Sequence, residues 1–268
     1  FLKNHAFNGG GGMYNVGTCL PKIYNTIFSE NNAIRDGAAM YNYGENNGNN
    51  SSPLLVNCVF ANNHSNDRGG ALNNAGGGGA SNPTLINCIF WQNTAPNGPV
   101  FYNFASFTTV LNSIIQGTSN NISNPSISVI DGGGGITSIN NKFQSDGIDP
   151  LFLNATANDF RLLPFSPARD MGDNASNPLT TDLSGSTRIS NGTIDIGPYE
   201  LQDVTCETFT NVVYVDSAAS GLGNGSSWVN AFTDLQDALL AKKYCSNIDT
   251  IKVAQGTYYP SDSIFVID

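Results

Sequence analysis

A Phe-x-x-Asn element recurs in the first hundred residues, beginning at Phe1, Phe28, Phe60 and Phe90. Nine residues after each Phe comes a small or turn-forming residue, and seven residues before the last three Phe comes a proline. These positions are Gly10, Gly37, Gly69 and Pro99, and Pro21, Pro53 and Pro83. A fifth, degenerate copy places Thr108 and Ile115 at the proline and Phe positions. All variation in repeat length falls between the glycine block and the proline, as expected of a coil with a fixed cross-section and one loose corner.

Each repeat contains only short strand-like runs separated by turn residues. Leu54 to Phe60, for example, is rich in β-branched and aromatic residues and follows Pro53. Helix-length amphipathic patterns are absent from the first 200 residues. Repeats of about 25 to 30 residues made of short strands and turns predict an all-β fold, a parallel β-helix or solenoid.

Stacking the repeats at the strand spacing of about 4.8 Å places two sets of asparagines in columns. Asparagine tolerates the left-handed backbone of tight corners, and stacked amides can hydrogen-bond along the coil axis. We therefore predict two amide ladders. One contains Asn25, Asn57, Asn87 and Asn112, and the other contains Asn4, Asn31, Asn63 and Asn93.

A third column is predicted to hold small inward side chains: Thr26, Cys58, Cys88 and Ser113. Cys58 and Cys88 then act as buried packing residues, since free cysteine behaves as a small apolar side chain. The chain has five cysteines, so at least one is unpaired within it. Cys206 and Cys245 flank the segment that begins the last part of the chain, and we predict a disulfide between them.

The charged residues of the repeats alternate in sign. Arg35-Asp36 aligns with Asp67-Arg68, so each charge is expected to face its opposite in the neighbouring repeat. Cross-coil ion pairs are the preferred interpretation over an acid with a cationic stabiliser, because exposed pairs of this kind are common. His5 and His64 are isolated in sequence, which favours turn positions over metal ligation.

Residues 116–165 are expected to continue the strand pattern at 127–130, 136–139 and 151–153. The stretch 166–200 changes character and carries aspartates in turn-like settings: Asp170, Asp173, Asp182 and Asp195. Backbone capping is the preferred role of these carboxylates, with Ca²⁺ binding as the alternative, because the twelve-residue calcium-loop pattern is missing. We predict no catalytic residue, no metal site and no required cofactor.

Residues 201–210 are predicted to form a joint, followed by a strand at 212–215 and a helix at 232–243. Thr233 and Gln236 match a capping box at the start of this helix. A short amphipathic helix ahead of new strands at 251–254 is expected of a cap that covers open strand edges.

Composition limits the partners. The net charge is −10 and only 12% of residues are charged, which argues against nucleic acid as a partner. The sequence contains no apolar run of the roughly 20 residues that a membrane-spanning helix needs. Abundant Asn, Ser, Thr and Gly with few Lys suit a secreted or surface protein, and both ends resemble cut ends of a longer chain.

The GGAL and FANN elements, Gly69–Leu72 and Phe60–Asn63, resemble the repeats of the polymorphic outer-membrane-protein family. That resemblance implies a right-handed parallel β-helix. The stretch 149–200 resembles the closing segment, and 212–260 the opening segment, of β-helix domains in large secreted surface proteins of Bacteroidetes-type bacteria. It implies export by type IX secretion, an extracellular cell-surface location and a role as an adhesin or filament. Asp-Ser/Thr-hydrophobic triplets at Ser217, Thr250 and Ser263 resemble O-glycosylation acceptors of that group.

A closing segment followed by an opening segment implies the end of one module and the start of the next, cut from a tandem array. Residues 1–200 then form the last coils and closing segment of one module, 201–210 the joint, and 211–268 the opening strand, cap helix and first coil of the next. The expected function is non-catalytic and structural, with neighbouring copies of the module end to end as partners and surface glycans as further candidates. The alternative is a β-helix polysaccharide lyase or glycoside hydrolase acting on acidic polysaccharide, with Asp36 and Asp67 as its first candidate residues.

Overall fold

A computed structural model describes residues 1–45, 48, 50–117, 128–131, 135–144, 148–163, 165–202, 206 and 209–259. Within these residues the chain is nearly all β, and its first 144 residues form a parallel β-solenoid. Each turn of the solenoid, called a coil below, contributes one short strand to each of several stacked sheets. The predicted fold class, a parallel β-solenoid, is confirmed.

Three five-stranded parallel sheets form the walls of the solenoid. Sheet 1 contains β2 Met13–Val16, β6 Met40–Gly44, β10 Leu72–Gly76, β13 Phe101–Phe104 and β16 Ser128–Asp131. Sheet 2 contains β3 Lys22–Tyr24, β7 Leu54–Val56, β11 Thr84–Ile86, β14 Phe107–Leu111 and β17 Gly135–Ile139. Sheet 3 contains β4 Ile27–Ser29, β8 Val59–Ala61, β12 Ile89–Trp91, β15 Ile114–Ile115 and β18 Lys142–Phe143. A fourth sheet contains β1 His5–Ala6, β5 Asn32–Ala33 and β9 His64–Ser65.

The register of sheet 1 differs from the expected alignment at one position. Asp36 pairs with Arg68 and Arg68 with Asn97, so the residue that follows Gly69 in its column is Gly98 and not Pro99. Gly37, Gly69 and Gly98 all have positive φ, of 57°, 64° and 62°. The backbone at this corner requires that left-handed conformation, which glycine adopts without strain. The fourth repeat is therefore one residue shorter before its glycine than the constant interval of nine predicts.

The core of the solenoid is built from side chains that stack on their equivalents in the next coil. The rings of Phe1, Phe28, Phe60 and Phe90 form a continuous stack with centroid separations of 4.7, 4.9 and 5.1 Å. Phe28, Phe60 and Phe90 are fully buried. These separations follow from the strand spacing of about 4.8 Å. The Phe of the repeat therefore lies inside the solenoid and sets the coil-to-coil packing.

Residues 148–202 are called the closing segment below. The strand expected at 151–153 is present as part of β19 Phe152–Asn154, but it does not continue the solenoid. The strands β19 and β20 Asp159–Leu162 pair antiparallel with each other. The segment folds back over the outer face of sheet 3, where its apolar residues pack on Val59, Ile89 and Ile114. Sheet 3 is therefore buried on both faces, which explains the uninterrupted apolar runs of β8, β12 and β15.

After the closing segment, β21 Val212–Val215 and β22 Thr250–Val253 pair in parallel, with the helix α1 Leu235–Tyr244 between them. Ala238 and Ala241 of α1 are buried in the small core that this unit forms. The predicted capping box is wrong, because the N-cap residue is Asp234 and not Thr233. The side chain of Asp234 accepts a hydrogen bond from Gln236 N at 2.8 Å. Asp234 takes this role because it directly precedes the first helical residue.

Candidate functional site: an aromatic face beside a charged turn

The charged residues singled out in the sequence lie at one turn beside sheet 1. Asp36 pairs with Arg68 through the backbone, so the expected alignment of opposite charges is present. The prediction of ion pairs between neighbouring coils is wrong for these four residues. Among these four described residues, the ion pair within 4.0 Å is Arg68 Nε to Asp67 Oδ2 at 3.5 Å, between sequence neighbours. Arg35 is exposed and contributes a favourable charge near Asp36.

The charged groups of this turn also bind uncharged side chains. Asp36 Oδ1 accepts from Asn73 Nδ2 at 2.8 Å, and Asp67 Oδ1 accepts from Asn97 Nδ2 at 3.1 Å. The guanidinium of Arg68 lies 5.1 Å from the ring centroid of Tyr102, a cation–π contact. Side-chain amides of the neighbouring coils therefore lie closer to the carboxylates of Asp36 and Asp67 than an opposite charge does.

Burial changes the acidity of two groups at this turn. Asp36 is half-buried, and loss of hydration raises its pKa, which Arg68 and Arg35 partly offset. Burial, with the nearby Asp36 carboxylate, raises the pKa of Tyr41 to about 12. Tyr41 is therefore a neutral phenol at any physiological pH.

The outer face of sheet 1 carries a group of aromatic residues. Tyr14 stacks on Tyr41 with 5.0 Å between ring centroids, and Tyr43 lies 6.1 Å from Tyr41 at an angle of 39°. Tyr102 and Phe104 lie on the same face two coils further along the axis, since β13 is separated from β6 by β10. Phe104 is 42% exposed. The face therefore presents aromatic side chains from three strands of the sheet.

The strand between the two aromatic groups carries small side chains. Asn73 aligns with Tyr41 and Tyr102, and Ala75 aligns with Tyr43 and Phe104. Ala75 is half-buried, while Asn73 is only 2% exposed and its Oδ1 is a buried acceptor with no hydrogen-bond partner. The Tyr43 ring reaches over the end of β10, because a Cβ atom on Gly77 would lie 2.6 Å from its Cζ atom, so Tyr43 partly covers the strand that carries Ala75.

The two histidines lie in strands of the fourth sheet, and His64 makes side-chain hydrogen bonds there. His64 Nδ1 lies 2.8 Å from Thr94 Oγ1, and its Nε2 lies 2.9 Å from Asn66 Oδ1. His5 is exposed in β1. Both histidines therefore lie in short strands, β1 and β9, and the prediction of turn positions is wrong.

The asparagine column that begins at Asn4 forms a continuous chain of side-chain hydrogen bonds. Nδ2 of each residue donates to Oδ1 of the next, from Asn4 to Asn31 at 2.9 Å, to Asn63 at 2.9 Å and to Asn93 at 2.8 Å. Asn93 Nδ2 then donates to Gln116 Oε1 at 3.2 Å, so glutamine continues the ladder in the fifth copy. The backbone amides of Asn4, Asn31 and Asn63 donate to the same oxygens.

A second ladder lies on the inner side of sheet 1 and is not among the predicted columns. Nδ2 of each residue donates to Oδ1 of the next, from Asn15 to Asn42 at 2.8 Å, to Asn74 at 2.8 Å and to Asn103 at 2.9 Å. These residues each lie five positions after the positive-φ glycine of their coil, at Gly10, Gly37, Gly69 and Gly98. Counted from Pro99, Asn103 lies only four positions further on, so an alignment of the fourth repeat on Pro99 hides this column.

The column of Asn25, Asn57, Asn87 and Asn112 does not form the predicted ladder. All four have positive φ at the corner between sheets 2 and 3, but the axial amide bond among them is Asn87 Nδ2 to Asn57 Oδ1, at 3.1 Å. The amides instead bind the closing segment: Asn87 to Asp173, Asn57 to Asn177 and Asn25 to Thr181. Three residues of the closing segment spaced four positions apart, Asp173, Asn177 and Thr181, therefore each bind a different coil.

The column of small side chains is present. Cys58 and Cys88 are fully buried in the core cluster, Ser113 is fully buried and Thr26 is half-buried. Burial raises the pKa of the Cys58 thiol well above its usual value. A thiol held in its neutral form is a poor nucleophile, so the contacts fit a packing role.

The closing segment has its own buried ionic network. Arg188 is fully buried and donates to Glu200 Oε2 at 2.7 Å and to the carbonyl oxygens of Asp195 and Gly197 at 3.0 and 2.5 Å. Asp195 accepts from the backbone amides of Asp170 and Leu201, both at 2.7 Å. The network joins distant parts of the segment, so it holds the segment in one conformation.

Three of the aspartates predicted to cap loops accept from backbone amides: Asp195, as described above, Asp173 and Asp182. Asp173 Oδ1 accepts from Ala175 N, and Asp182 Oδ1 accepts from the amides of Ser184 and Ser186. Asp170, Asp195 and Glu200 bring carboxylate oxygens within 4.8 Å of one another. Glu200 pairs with Arg188, Asp195 accepts from backbone amides, and Asp170 pairs with Arg169 at 3.2 Å, so each of the three carboxylates has a protein partner.

The disulfide between Cys206 and Cys245 is confirmed. Of the three residues that resemble O-glycosylation acceptors, Ser217 and Thr250 are exposed. Ser263 lies outside the described residues.

None of the described helical segments has the length and apolar character needed to cross a bilayer. Comparison with family models, with curated proteins and with solved structures gives no match for this chain.

Proposed function

We propose that this chain is a non-catalytic structural module of a long extracellular adhesin or surface filament. In this role the solenoid supplies length, stiffness and a repetitive surface. Neighbouring copies of the module, joined end to end, are its partners. The β-solenoid fold is consistent with a structural repeat, because coils that contact only their neighbours extend by simple addition.

The observation that carries this proposal is that residues repeated from coil to coil contact their equivalents in the next coil. The Phe stack, the ladder from Asn4 to Gln116 and the second ladder from Asn15 to Asn103 all join one coil to the next. Side chains of this kind strengthen the axis of the solenoid, and among the described residues their polar groups bind the neighbouring coils. A structural module requires this property, whereas an enzyme requires groups that remain free for substrate.

The extracellular location is supported by two features. The Cys206–Cys245 disulfide is typical of oxidising compartments. The GGAL and FANN elements and the sequence of the closing segment resemble the surface proteins described above, which implies type IX secretion and O-glycosylation at Ser217 and Thr250.

The non-catalytic assignment is supported by the two carboxylates that a polysaccharide hydrolase or lyase would use. Asp36 is bonded to Asn73, and Asp67 is bonded to Arg68 and Asn97. An inverting hydrolase needs one carboxylic acid and one carboxylate on either side of a substrate bond. Here both groups have protein partners that compete with substrate.

Immunogold labelling of intact, unpermeabilised cells tests the location, and an activity screen tests the chemistry. The proposal expects gold particles outside the cell and no cleavage of acidic polysaccharides by the purified chain. Absence of label on intact cells, together with label inside the cytoplasm of sectioned cells, would overturn the surface assignment. Cleavage that disappears in both Asp36→Asn and Asp67→Asn would replace the structural role with the enzymatic one.

A further inference from the structure

A cleft of about 390 Å³ lies between the closing segment and the loop 220–230 that follows β21. We call them the joint cleft and the joint loop. Leu153 and Tyr199 belong to the wall that the closing segment forms, and Leu222 belongs to the wall that the joint loop forms. A Cβ atom on Gly223 would lie 3.4 Å from Cδ1 of Leu153, so the two walls come into contact at one end. The open volume falls within the range of small-molecule sites, about 300 to 1,000 Å³.

Hydrogen bonds within the joint loop fix its shape. Gly221 N donates to Val229 O at 3.0 Å, Leu222 N donates to Asn230 Oδ1 at 3.0 Å, and Gly225 N donates to Asn230 O at 2.8 Å. Leu222 is nevertheless 69% exposed at the cleft. A loop of fixed shape therefore holds an apolar side chain in water beside an open space, where burial by a ligand is favourable.

Two buried carboxylates in the wall of the cleft already accept from protein donors. Asp182 accepts from the backbone amides of Ser184, Ser186 and Glu200, at 2.8, 2.9 and 3.0 Å. Glu200 accepts from Arg188 and from two backbone amides. A cationic ligand therefore finds both carboxylates occupied by the protein.

The arginine that lines the cleft is also paired. Arg161 binds the carboxylate of Asp159 through Nε at 2.9 Å and through Nη2 at 2.5 Å, which leaves Nη1 as its remaining donor. An anionic ligand near Arg161 would meet the charge of Asp159 as well as the carboxylates of Asp182 and Glu200. The charges of the cleft therefore favour an uncharged ligand.

Hydrogen-bond donors lie on both walls. The ring of Tyr199 packs on the core over sheet 3, and burial raises the pKa of its hydroxyl, which stays protonated and can donate. Asn224 of the joint loop uses its Oδ1 to accept from Ser226, so its Nδ2 can donate from the opposite wall. No described residue accepts a hydrogen bond from the Tyr199 hydroxyl or from Asn224 Nδ2. The cleft therefore suits a ligand with apolar surface, several oxygen acceptors and no net charge.

We propose that the joint cleft binds a short neutral saccharide. Its C–H surfaces cover Leu222 and Leu153, and its oxygens accept from Tyr199, Arg161 and Asn224. An uncharged peptide fits less well, because each backbone N–H needs an acceptor and the carboxylates of the cleft are occupied, whereas a sugar hydroxyl can accept or donate.

This inference rests on the proposed surface role, to which it adds a ligand class. The location experiment above does not depend on the cleft, so the two can fail separately.

Saturation-transfer difference NMR and titration on the full chain test the site. The probes are four neutral disaccharides: cellobiose, maltose, lactose and diacetylchitobiose. An acetylated and amidated tripeptide without charged side chains is the peptide comparison, and digalacturonate is the anionic one. At least one neutral disaccharide is expected to bind, and more tightly than either comparison.

Two exposed residues of the joint loop provide a matched pair of variants. Leu222→Ala should weaken binding of that disaccharide roughly tenfold, because the ligand loses an apolar contact. Val229→Ala should leave binding unchanged, since Val229 is 70% exposed on the same loop but does not line the cleft. Tyr199→Phe removes a single donor that has no described protein partner, so it should weaken binding several-fold and keep the thermal stability of the chain.

The proposal is overturned if none of the four disaccharides binds, or if the tripeptide or digalacturonate binds and the disaccharides do not. Equal binding by Leu222→Ala and Val229→Ala, or unchanged binding by a folded Tyr199→Phe, would also overturn it. Any of these results together with gold label outside the cell would remove the saccharide site and leave the surface role standing.

Discussion

The side-chain amide of Asn63 donates to Oδ1 of Asn93 in the next coil across 2.8 Å, and both residues are buried. Asn63 also donates to Phe28 O at 2.9 Å and accepts from the amide and side chain of Asn31 at 3.0 and 2.9 Å. A single amide therefore joins three coils. Its removal would leave several buried groups without partners.

Asn63→Ala is expected to lower the free energy of unfolding by about 2 to 4 kcal/mol, because buried donors and acceptors on both neighbouring coils lose their partner. Urea denaturation followed by circular dichroism measures this change. Asn66→Ala is the control, since Asn66 is exposed and bonds only to the exposed His64 ring. Equal losses in the two variants would contradict a structural ladder.

Asn87→Gly is expected to loosen the closing segment. Glycine keeps the positive φ of 53° at this corner but removes the amide that binds Asp173. Limited proteolysis within the closing segment should speed up several-fold. Asn112→Gly is the control, because Asn112 has φ of 46° in the same column and its amide makes no hydrogen bond to the described part of the closing segment. Unchanged proteolysis in Asn87→Gly would mean that the amide column does not hold the segment.

Arg188→Leu is expected to destabilise the closing segment by about 3 to 5 kcal/mol, because Glu200 would be left buried without its cation. Arg161→Leu breaks the ion pair with Asp159, in which Arg161 is 54% exposed, and should cost about 1 kcal/mol or less. Thermal unfolding of both variants measures the difference. A cost for Arg188→Leu no larger than for Arg161→Leu would contradict a stabilising buried network.

Asp237 should make stability depend on pH. Burial, with the nearby Asp234, raises its pKa to about 7 in the folded chain. Because the folded pKa lies above the unfolded value of 3.8, this contribution to stability is present at low pH and is lost as the pH rises through about 7. The position of Asp237 in the first turn of α1 favours its charged form and limits the effect to the order of 1 kcal/mol.

Asp237→Asn should therefore flatten the fall in stability between about pH 4 and pH 7, measured by denaturation at a series of pH values. Asp249→Asn removes a carboxylate at an exposed position and should leave the slope as it is. A slope unchanged by Asp237→Asn would show that other groups produce it.

The sequence was sufficient for the solenoid, because fixed intervals force equivalent residues into columns. Pro21, Pro53, Pro83 and Thr108 indeed occupy one column, with each backbone carbonyl from Pro21 to Pro83 accepting from the next coil. The interval rule failed only where the fourth repeat is one residue shorter, at Gly98. When the fourth repeat is aligned on Pro99, Asn103 falls outside the column of Asn15, Asn42 and Asn74. The shift of one residue therefore hides the second ladder in the sequence.

The closing segment could not be predicted in the same way, because its contacts do not repeat. Asn25 and Asn57 look like members of an amide ladder in the sequence, but their partners lie 156 and 120 residues away. The available signal was the composition of β12, Ile89–Trp91, where both faces are apolar. A strand with one face open to water would alternate, so this run indicates a covering layer but not which residues provide it.

Electron microscopy of the native material, together with the intact mass of its polypeptide, tests the structural role most directly. The account predicts thin fibres, built from a polypeptide much heavier than 28.4 kDa, with a repeat of about 4.8 Å along the fibre axis from the stacked coils. A compact particle near 28.4 kDa would contradict it.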